Sequence, residues 1–283
     1  MKILVTGANG FIGHNLVSRL SGQHEVLAVA REPRLAHHKT ASFVVMDLSL
    51  PLDMRAMPSQ MDVIVHLAQA NVSWPEGANE LFAVNTSATQ QLLDYGRRAG
   101  ARQFILASTG DVYGRRAGLA KETDAAQPAS HYAATKYAAE FVVQSYCDYL
   151  ASCILRLYQP YGPGQLNRLI PKLAERIRQQ SAVRLHKNDG PRLTPIYIDD
   201  VTRAVERAIA SSYSGTVNIA GDQIVSMREL AEAIGRALKS QPSFVETDET
   251  MADLMGDNSL MKEVLGNWDM IALADGLART FGG

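Results

Sequence analysis

Lys2-Ile3-Leu4-Val5-Thr6-Gly7-Ala8-Asn9-Gly10-Phe11-Ile12-Gly13 is the stretch that decides the fold. Its first five residues form a short apolar run of the kind that becomes a buried strand. Glycines then recur at three-residue spacing, and Phe11–Leu20 carries apolar residues at helical period. A second apolar run, Glu25–Ala30, completes a strand-helix-strand unit of about thirty residues. In that setting the small residues let backbone N–H groups approach an anion at the N-terminus of the helix. The loop is therefore expected to hold the pyrophosphate of a dinucleotide through Gly7, Asn9, Gly10, Phe11, Ile12 and Gly13.

Outward from this unit the alternation continues. Short apolar runs at 42–46, 63–68, 104–108 and 152–157 are separated by helix-length segments such as 81–99 and 132–150. Strands buried on both faces and alternating with helices imply an α/β chain with a Rossmann-type doubly wound parallel sheet. Ligands of such sheets lie at the carboxyl ends of the strands. After Leu157 the rhythm changes at the turn Tyr161-Gly-Pro-Gly164. The expected organisation is an NAD(P)-binding domain over 1–158 and a smaller, mostly helical substrate-binding region over 159–283, with room for a strand that returns to the sheet. Helices are expected at 169–179, 201–210, 227–238 and 260–281, with a cleft between the two regions.

The 283 residues are 46% hydrophobic, with a net charge of −1. Nothing in that balance points to nucleic acid or an anionic membrane as a partner. The start lacks the pattern of a signal peptide, and no apolar run approaches the ~20 residues that span a bilayer. The cytoplasm is the expected compartment. Cys147 and Cys153 lie in apolar surroundings and read as reduced core residues. The His37-His38 pair has no clustered partners, so no metal is expected.

Tyr132-Ala-Ala-Thr-Lys136 places a phenol and an ammonium one helical turn apart, on one face. Such an ammonium favours the ionised phenol. Bringing a tyrosine from about 10 to about 7 requires roughly 4 kcal/mol of differential stabilisation. At the end of the second strand, where NAD-binding loops usually place an acidic residue, stand Ala30 and Arg31, with Arg34 close by. A guanidinium there suits a 2′-phosphate, which favours NADP over NAD. Asp47, followed by Leu48 at the end of the third strand, is placed for the adenine.

Several blocks in order resemble the extended short-chain dehydrogenases/reductases, also called the NAD-dependent epimerase/dehydratase family. They are the glycine loop, His66-Leu-Ala68, Asn85, Ala107-Ser-Thr-Gly-Asp-Val-Tyr-Gly114, Tyr132 to Lys136, Leu155-Arg156, Tyr161-Gly-Pro-Gly-Gln165, Pro195-Ile-Tyr-Ile-Asp-Asp-Val201 and Val217-Asn-Ile219. The resemblance implies an enzyme acting on a nucleotide-activated sugar. Tyr132 matches the family's acid/base, Lys136 the residue that lowers its pKa and bonds the nicotinamide ribose, and Thr109 the hydroxyl that holds the reacting oxygen. Leu67 and Ala68 match cofactor contacts, and Ser108 reads as structural. Helices 81–99 and 132–150 imply a homodimer.

Four departures bear on the reaction. Family dehydratases follow the Thr with Asp-Glu; here Gly110-Asp111 stands there, which disfavours dehydration while leaving Asp111 able to act as an acid. Gln159 replaces an Asn that contacts the substrate. Arg168, in place of a more usual Asn, and Arg192 lie at positions near a nucleotide diphosphate. Ala30-Arg31 replaces the acid of the NAD-retaining epimerases. Together these favour reduction of a 4-keto sugar by NADPH, with 4-epimerisation close behind and a non-catalytic NADP sensor as the reading from another class. Asp199-Asp200 reads as a helix cap, and Trp74 as either a base-stacking or a packing residue.

Overall fold

The computed structural model describes residues 1–32 and 41–282. Arg34 and the His37-His38 pair lie outside the described residues. The elements that build the sheet side are β1 (Lys2–Thr6), α1 (Phe11–Leu20), β2 (Glu25–Ala30), β3 (Ser42–Val45), β4 (Val63–His66), α2 (Ala78–Phe82), α3 (Ala88–Arg98), β5 (Gln103–Thr109), α4 (His131–Gln144) and β6 (Ala151–Leu157). Beyond them come β7 (Pro160–Tyr161), α5 (Leu169–Arg178), β8 (Val183–Leu185), β9 (Arg192–Leu193), β10 (Ile196–Tyr197), α6 (Ile198–Ser211), β11 (Gly215–Ile219), β12 (Val225–Ser226), α7 (Met227–Leu238), β13 (Phe244–Glu246), α8 (Ser259–Leu265) and α9 (Leu273–Phe281).

Seven strands form one sheet in the order β3-β2-β1-β4-β5-β6-β11, and every pairing is parallel. The central strands are buried on both faces, which is why β1, β4 and β5 read as continuous apolar runs, whereas the edge strand β3 is partly exposed. Alternate side chains serve opposite cores. Ile3 and Val5 join a cluster with Val17 of α1 and Val201 and Val205 of α6, whereas Leu4 joins Leu92 and Leu93 of α3 and Ala139 and Val143 of α4. The order reverses on either side of β1, so a crevice opens at its carboxyl end. The strand β11 comes from the C-terminal segment yet pairs with β6 along its length, Gly215 to Ile219 against Cys153 to Leu157. That segment also sends α6 onto α1, where Arg19 Nε meets Glu206 at 2.7 Å.

Several expectations shift in detail. The helix expected over 132–150 ends at Gln144, and Cys147 falls in the turns that follow; Cys147 is exposed and only Cys153 is buried in the core. The helix expected over 81–99 starts at Ala78 and contains a π-helical turn over Ala83–Ser87. The tail at 260–281 is two helices broken at Gly266, whose φ of 80° suits glycine. Asp199 and Asp200 do not cap a helix: Tyr197 is the N-cap, and both carboxylates sit in the first turn of α6. Buried Asp200 instead accepts from Trp268 Nε1 and Ile271 N, each at 2.9 Å, and so ties down the tail.

Candidate active site

The carboxyl ends of β1, β2, β4, β5 and β6 open into a cavity of about 1030 Å3, closed from the C-terminal side by 159–168 and Leu254. Its cofactor end is the glycine loop. Gly7 has φ of 67°, and a Cβ there would stand 2.8 Å from Ala68 N; a Cβ on Gly13 would stand 2.1 Å from Gly7 O. Loop, β4 end and helix can approach this closely only without side chains at those positions. Gly10 caps α1 with no side-chain hydrogen bond, and the first turn carries no acidic residue, so the helix N-terminus is open to an anion. The buried Asn9 Oδ1 has no protein partner, while its Nδ2 donates to Glu32 O at 2.6 Å. These features fit the pyrophosphate of a dinucleotide.

Gly7, Asn9, Gly10, Phe11, Ile12, Gly13, Arg31, Asp47, Leu48, Leu67, Ala68, Thr109, Asp111, Tyr132, Gln159 and Arg168 all line this cavity. Two expected site residues do not. Arg192 is exposed on β9, where its backbone N donates to Asp253 Oδ1 at 2.7 Å, outside the cavity lining. Lys136 is 1% exposed and lies beneath the floor.

Arg31 reaches the rim largely exposed, 3.9 Å from Glu80 Oε1, and Glu32 lines the same end. Asp47 Oδ1 accepts from Ser49 N at 2.9 Å and Ser49 Oγ at 2.8 Å, which holds the carboxyl below its usual range.

At the reacting end, Thr109 Oγ1 donates to Asp111 Oδ2 at 2.8 Å, and the phenol of Tyr132 donates to Gln69 Oε1 at 2.9 Å. Gln69 Nε2 donates to Asn71 Oδ1 at 3.2 Å, and the same oxygen accepts from the Arg168 guanidinium at 2.5 Å. Burial pushes the Tyr132 phenol up to about 12; the Asp111 carboxylate adds to the rise, and Arg168 and the Thr109 hydroxyl oppose it. The expected lowering, by Lys136 together with a cationic nicotinamide, concerns the protein with its dinucleotide bound. Burial pulls the Lys136 ammonium down to about 8, with Glu140 resisting. Its neighbour His66 is fully buried, with Nδ1 2.6 Å from Thr6 Oγ1; burial and then Lys136 hold it down to about 3.

Position 110 has a steric explanation. A Cβ on Gly110 would lie 2.5 Å from the ring of Tyr158, and one on Gly256 would lie 2.5 Å from the other side of that ring. Tyr158 is thus held between two glycines, and no larger residue fits at 110. Behind it, Ser108 donates to Glu140, Arg156 clamps the same carboxylate at 2.6 Å, and the Arg156 guanidinium lies 4.6 Å from the ring centroid of Tyr113.

Gln69, Asn71, Glu32 and Glu80 escaped the sequence reading. The first two directly follow a buried strand at its carboxyl end, a position that does mark ligand contacts. Glu80 had no such signal, because only the packing of α2 brings it to Arg31. Trp74 is 64% exposed and absent from the cavity lining. Among the described residues, no group of three or more His, Cys, Asp or Glu could hold a metal ion, and no helix is long and apolar enough to cross a membrane.

A model of the NAD dependent epimerase/dehydratase family matches residues 3–220. The chain is 29% identical to the UDP-glucose 4-epimerase of Mycolicibacterium smegmatis, over 99% of this chain and 97% of that protein. It is also 29% identical to the dTDP-glucose 4,6-dehydratase of Streptomyces griseus, over 98% and 92% respectively. Among solved structures, MoeE5 in complex with UDP-glucuronic acid and NAD superposes with a TM-score of 0.88 at 27% identity, over 99% of this chain and 98% of that one.

Proposed function

The chain belongs to the NAD dependent epimerase/dehydratase family of extended short-chain dehydrogenases/reductases, and on that premise we propose that it is a nucleotide-sugar 4-epimerase using NAD. One observation carries the reading. The reacting cluster has a phenol and a hydroxyl at one point, but the Tyr158 ring leaves no room for a side chain at Gly110. Elimination of water needs both an acid and a base at a further pair of carbons; position 110 supplies neither, and Asp111 is a single carboxylate already bonded to Thr109. What remains is proton transfer at the oxygen of a single carbon. A dinucleotide bound along the glycine loop would supply the exchange of hydride with that carbon.

Thr109, bonded to Asp111, holds the sugar oxygen beside Tyr132, whose phenolate is the group that would accept the proton of a substrate hydroxyl. Tyr132, protonated in the free protein, is the acid that returns a proton to a carbonyl oxygen. Arg168 lies within electrostatic reach of that phenol and is assigned to the anionic part of the substrate, together with Gln159. Lys136, under the floor, supports the site from below. Residues 159–283 are assigned the substrate, and 1–158 the cofactor.

A second reading, reduction of a 4-keto sugar by NADPH, is favoured by Ala30-Arg31. Against it, a 2′-phosphate beside Arg31 would also face Glu80 and Glu32, so its binding would have to overcome two carboxylates. We further assign a homodimer to the face of α2, α3 and α4, where Phe82 and Phe141 are more than half exposed. The cytoplasm is the assigned compartment.

The test is direct. Protein purified without added nucleotide is denatured, the released dinucleotide is identified by mass, and the intact protein is incubated with UDP-glucose or UDP-galactose. Release of NAD and interconversion with no net consumption of reduced cofactor are expected. Stoichiometric NADPH oxidation on a 4-keto sugar would replace this reading with the reductase, and Tyr132→Phe with undiminished turnover would overturn both. Sedimentation at low concentration checks the dimer.

A further inference from the structure

The contacts Arg168 to Asn71 to Gln69 to Tyr132 form one chain across the mouth of the cavity, and its direction is forced. A guanidinium has donors and no acceptor, so it fixes Asn71 with Oδ1 toward Arg168. That oxygen in turn attracts Gln69 Nε2, which leaves Gln69 Oε1 facing the phenol. An amide oxygen can only accept, so it bonds the neutral phenol and repels a phenolate. Reversing Gln69 would put its Oε1 against Asn71 Oδ1. Reversing both amides would put Asn71 Nδ2 against the guanidinium.

On the reading of Tyr132 as the acid/base, we propose that Gln69 and Asn71 are positioning residues which, oriented by Arg168, present an acceptor to Tyr132 and so favour its proton-donating form. Once Arg168 leaves Asn71, both amides are free to turn, and Gln69 can donate Nε2–H to a phenolate. The other groups facing the phenol are Thr109 and Asp111 at the end of β5 and Arg168 ahead of α5. Lys136 lies one turn along its own helix. None of these imposes a direction on the Gln69 amide except Arg168. Burial is the largest cause of the raised Tyr132 value, and the Arg168 charge acting directly on the phenol lowers it, so the amide contacts work against that direct effect.

The experiment needs no substrate. In NAD-saturated protein, the tyrosinate absorbance of each variant minus that of its Tyr132→Phe counterpart titrates this phenol alone. One net hydrogen bond to the neutral form corresponds to about one pH unit. Gln69→Ala and Asn71→Ala are expected to titrate about one pH unit below wild type, and Gln69→Glu above it. The Asn71→Ala result is decisive, because Gln69 is still present and has only been released. Both positions border solvent, and circular dichroism checks that each variant is folded. Asn71→Ala titrating at or above the wild-type value, or Gln69→Glu below it, overturns the proposal. Full turnover by Tyr132→Phe would instead remove the acid/base reading while the titration still reports on the chain of contacts.

Discussion

Two polar clusters share the ends of β5 and β6, and they are constructed oppositely. In the first, Glu140 is fully buried and receives Ser108 and a two-pronged Arg156, whose guanidinium also covers the Tyr113 ring. Tyr113 donates to Asn218, whose amide serves Ala120 O and Asp257 O. Every named group there has a protein partner. In the second, Tyr132, Gln69, Asn71, Arg168, Thr109 and Asp111 line the cavity, and their bonds run in one direction with open ends. A saturated cluster can only hold; a directional, unfinished one can exchange its partners for a substrate. Ser108 and Thr109, adjacent in sequence, fall one into each because successive strand residues point to opposite faces.

The comparison breaks most visibly at Tyr132. Tyr132→Phe should lower turnover by roughly 10^2 to 10^4-fold with an unchanged denaturant midpoint, measured as steady-state interconversion of UDP-sugars. Arg156→Met should do the reverse. It leaves Glu140 buried without its charge partner, at a cost of about 3–5 kcal/mol in urea unfolding, with activity per folded molecule retained. A large loss of activity without loss of stability would place Arg156 in the working cluster.

His66 lies between the clusters and supplies the pH dependence. Its folded value of about 3 is below the ordinary value of 6.5, so as pH falls the unfolded chain binds a proton that the native protein does not. Native stability is therefore lost progressively from about pH 6.5 down to about pH 3. Roughly 3 kcal/mol should disappear between about pH 7 and about pH 4, and His66→Gln should flatten that limb of the unfolding free energy against pH.

Smaller effects sharpen the boundary behind the site. Gly110→Ala pushes a methyl into the Tyr158 ring and should cost about 1–3 kcal/mol, read as a shift in thermal midpoint. The buried Tyr158 hydroxyl has no partner, so Tyr158→Phe should be neutral or stabilising by up to about 1 kcal/mol. Marked destabilisation by Tyr158→Phe would mean that the hydroxyl is satisfied in solution.

Much of the fold was legible because its signals are local. The run from Lys2 to Gly13 carries strand, turn and helix within twelve residues, and parallel strands buried on both faces stand out as apolar runs. Helix ends were less legible, since the 3.6-residue pattern fades gradually and Gln144 carries no stop signal. The candidate site was legible where its residues sit in ordered blocks, as Thr109, Tyr132 and Lys136 do. Arg192 lies outside the cavity lining, and Asp200, read as a helix cap, finds its partners in Trp268 and Ile271, 68 and 71 residues away.

The sequence by itself determined the α/β class and the glycine loop that opens α1, because each depends on backbone geometry within a few residues. Only the tertiary structure decided how the phenol, hydroxyl and ammonium at the reacting end are charged and directed. The ring of Tyr158 against Gly110 joins residues 48 positions apart, Tyr132 meets Gln69 across 63 and Arg168 meets Asn71 across 97. Desolvation and hydrogen-bond direction belong to the assembled cavity, and spacing along the chain does not encode them.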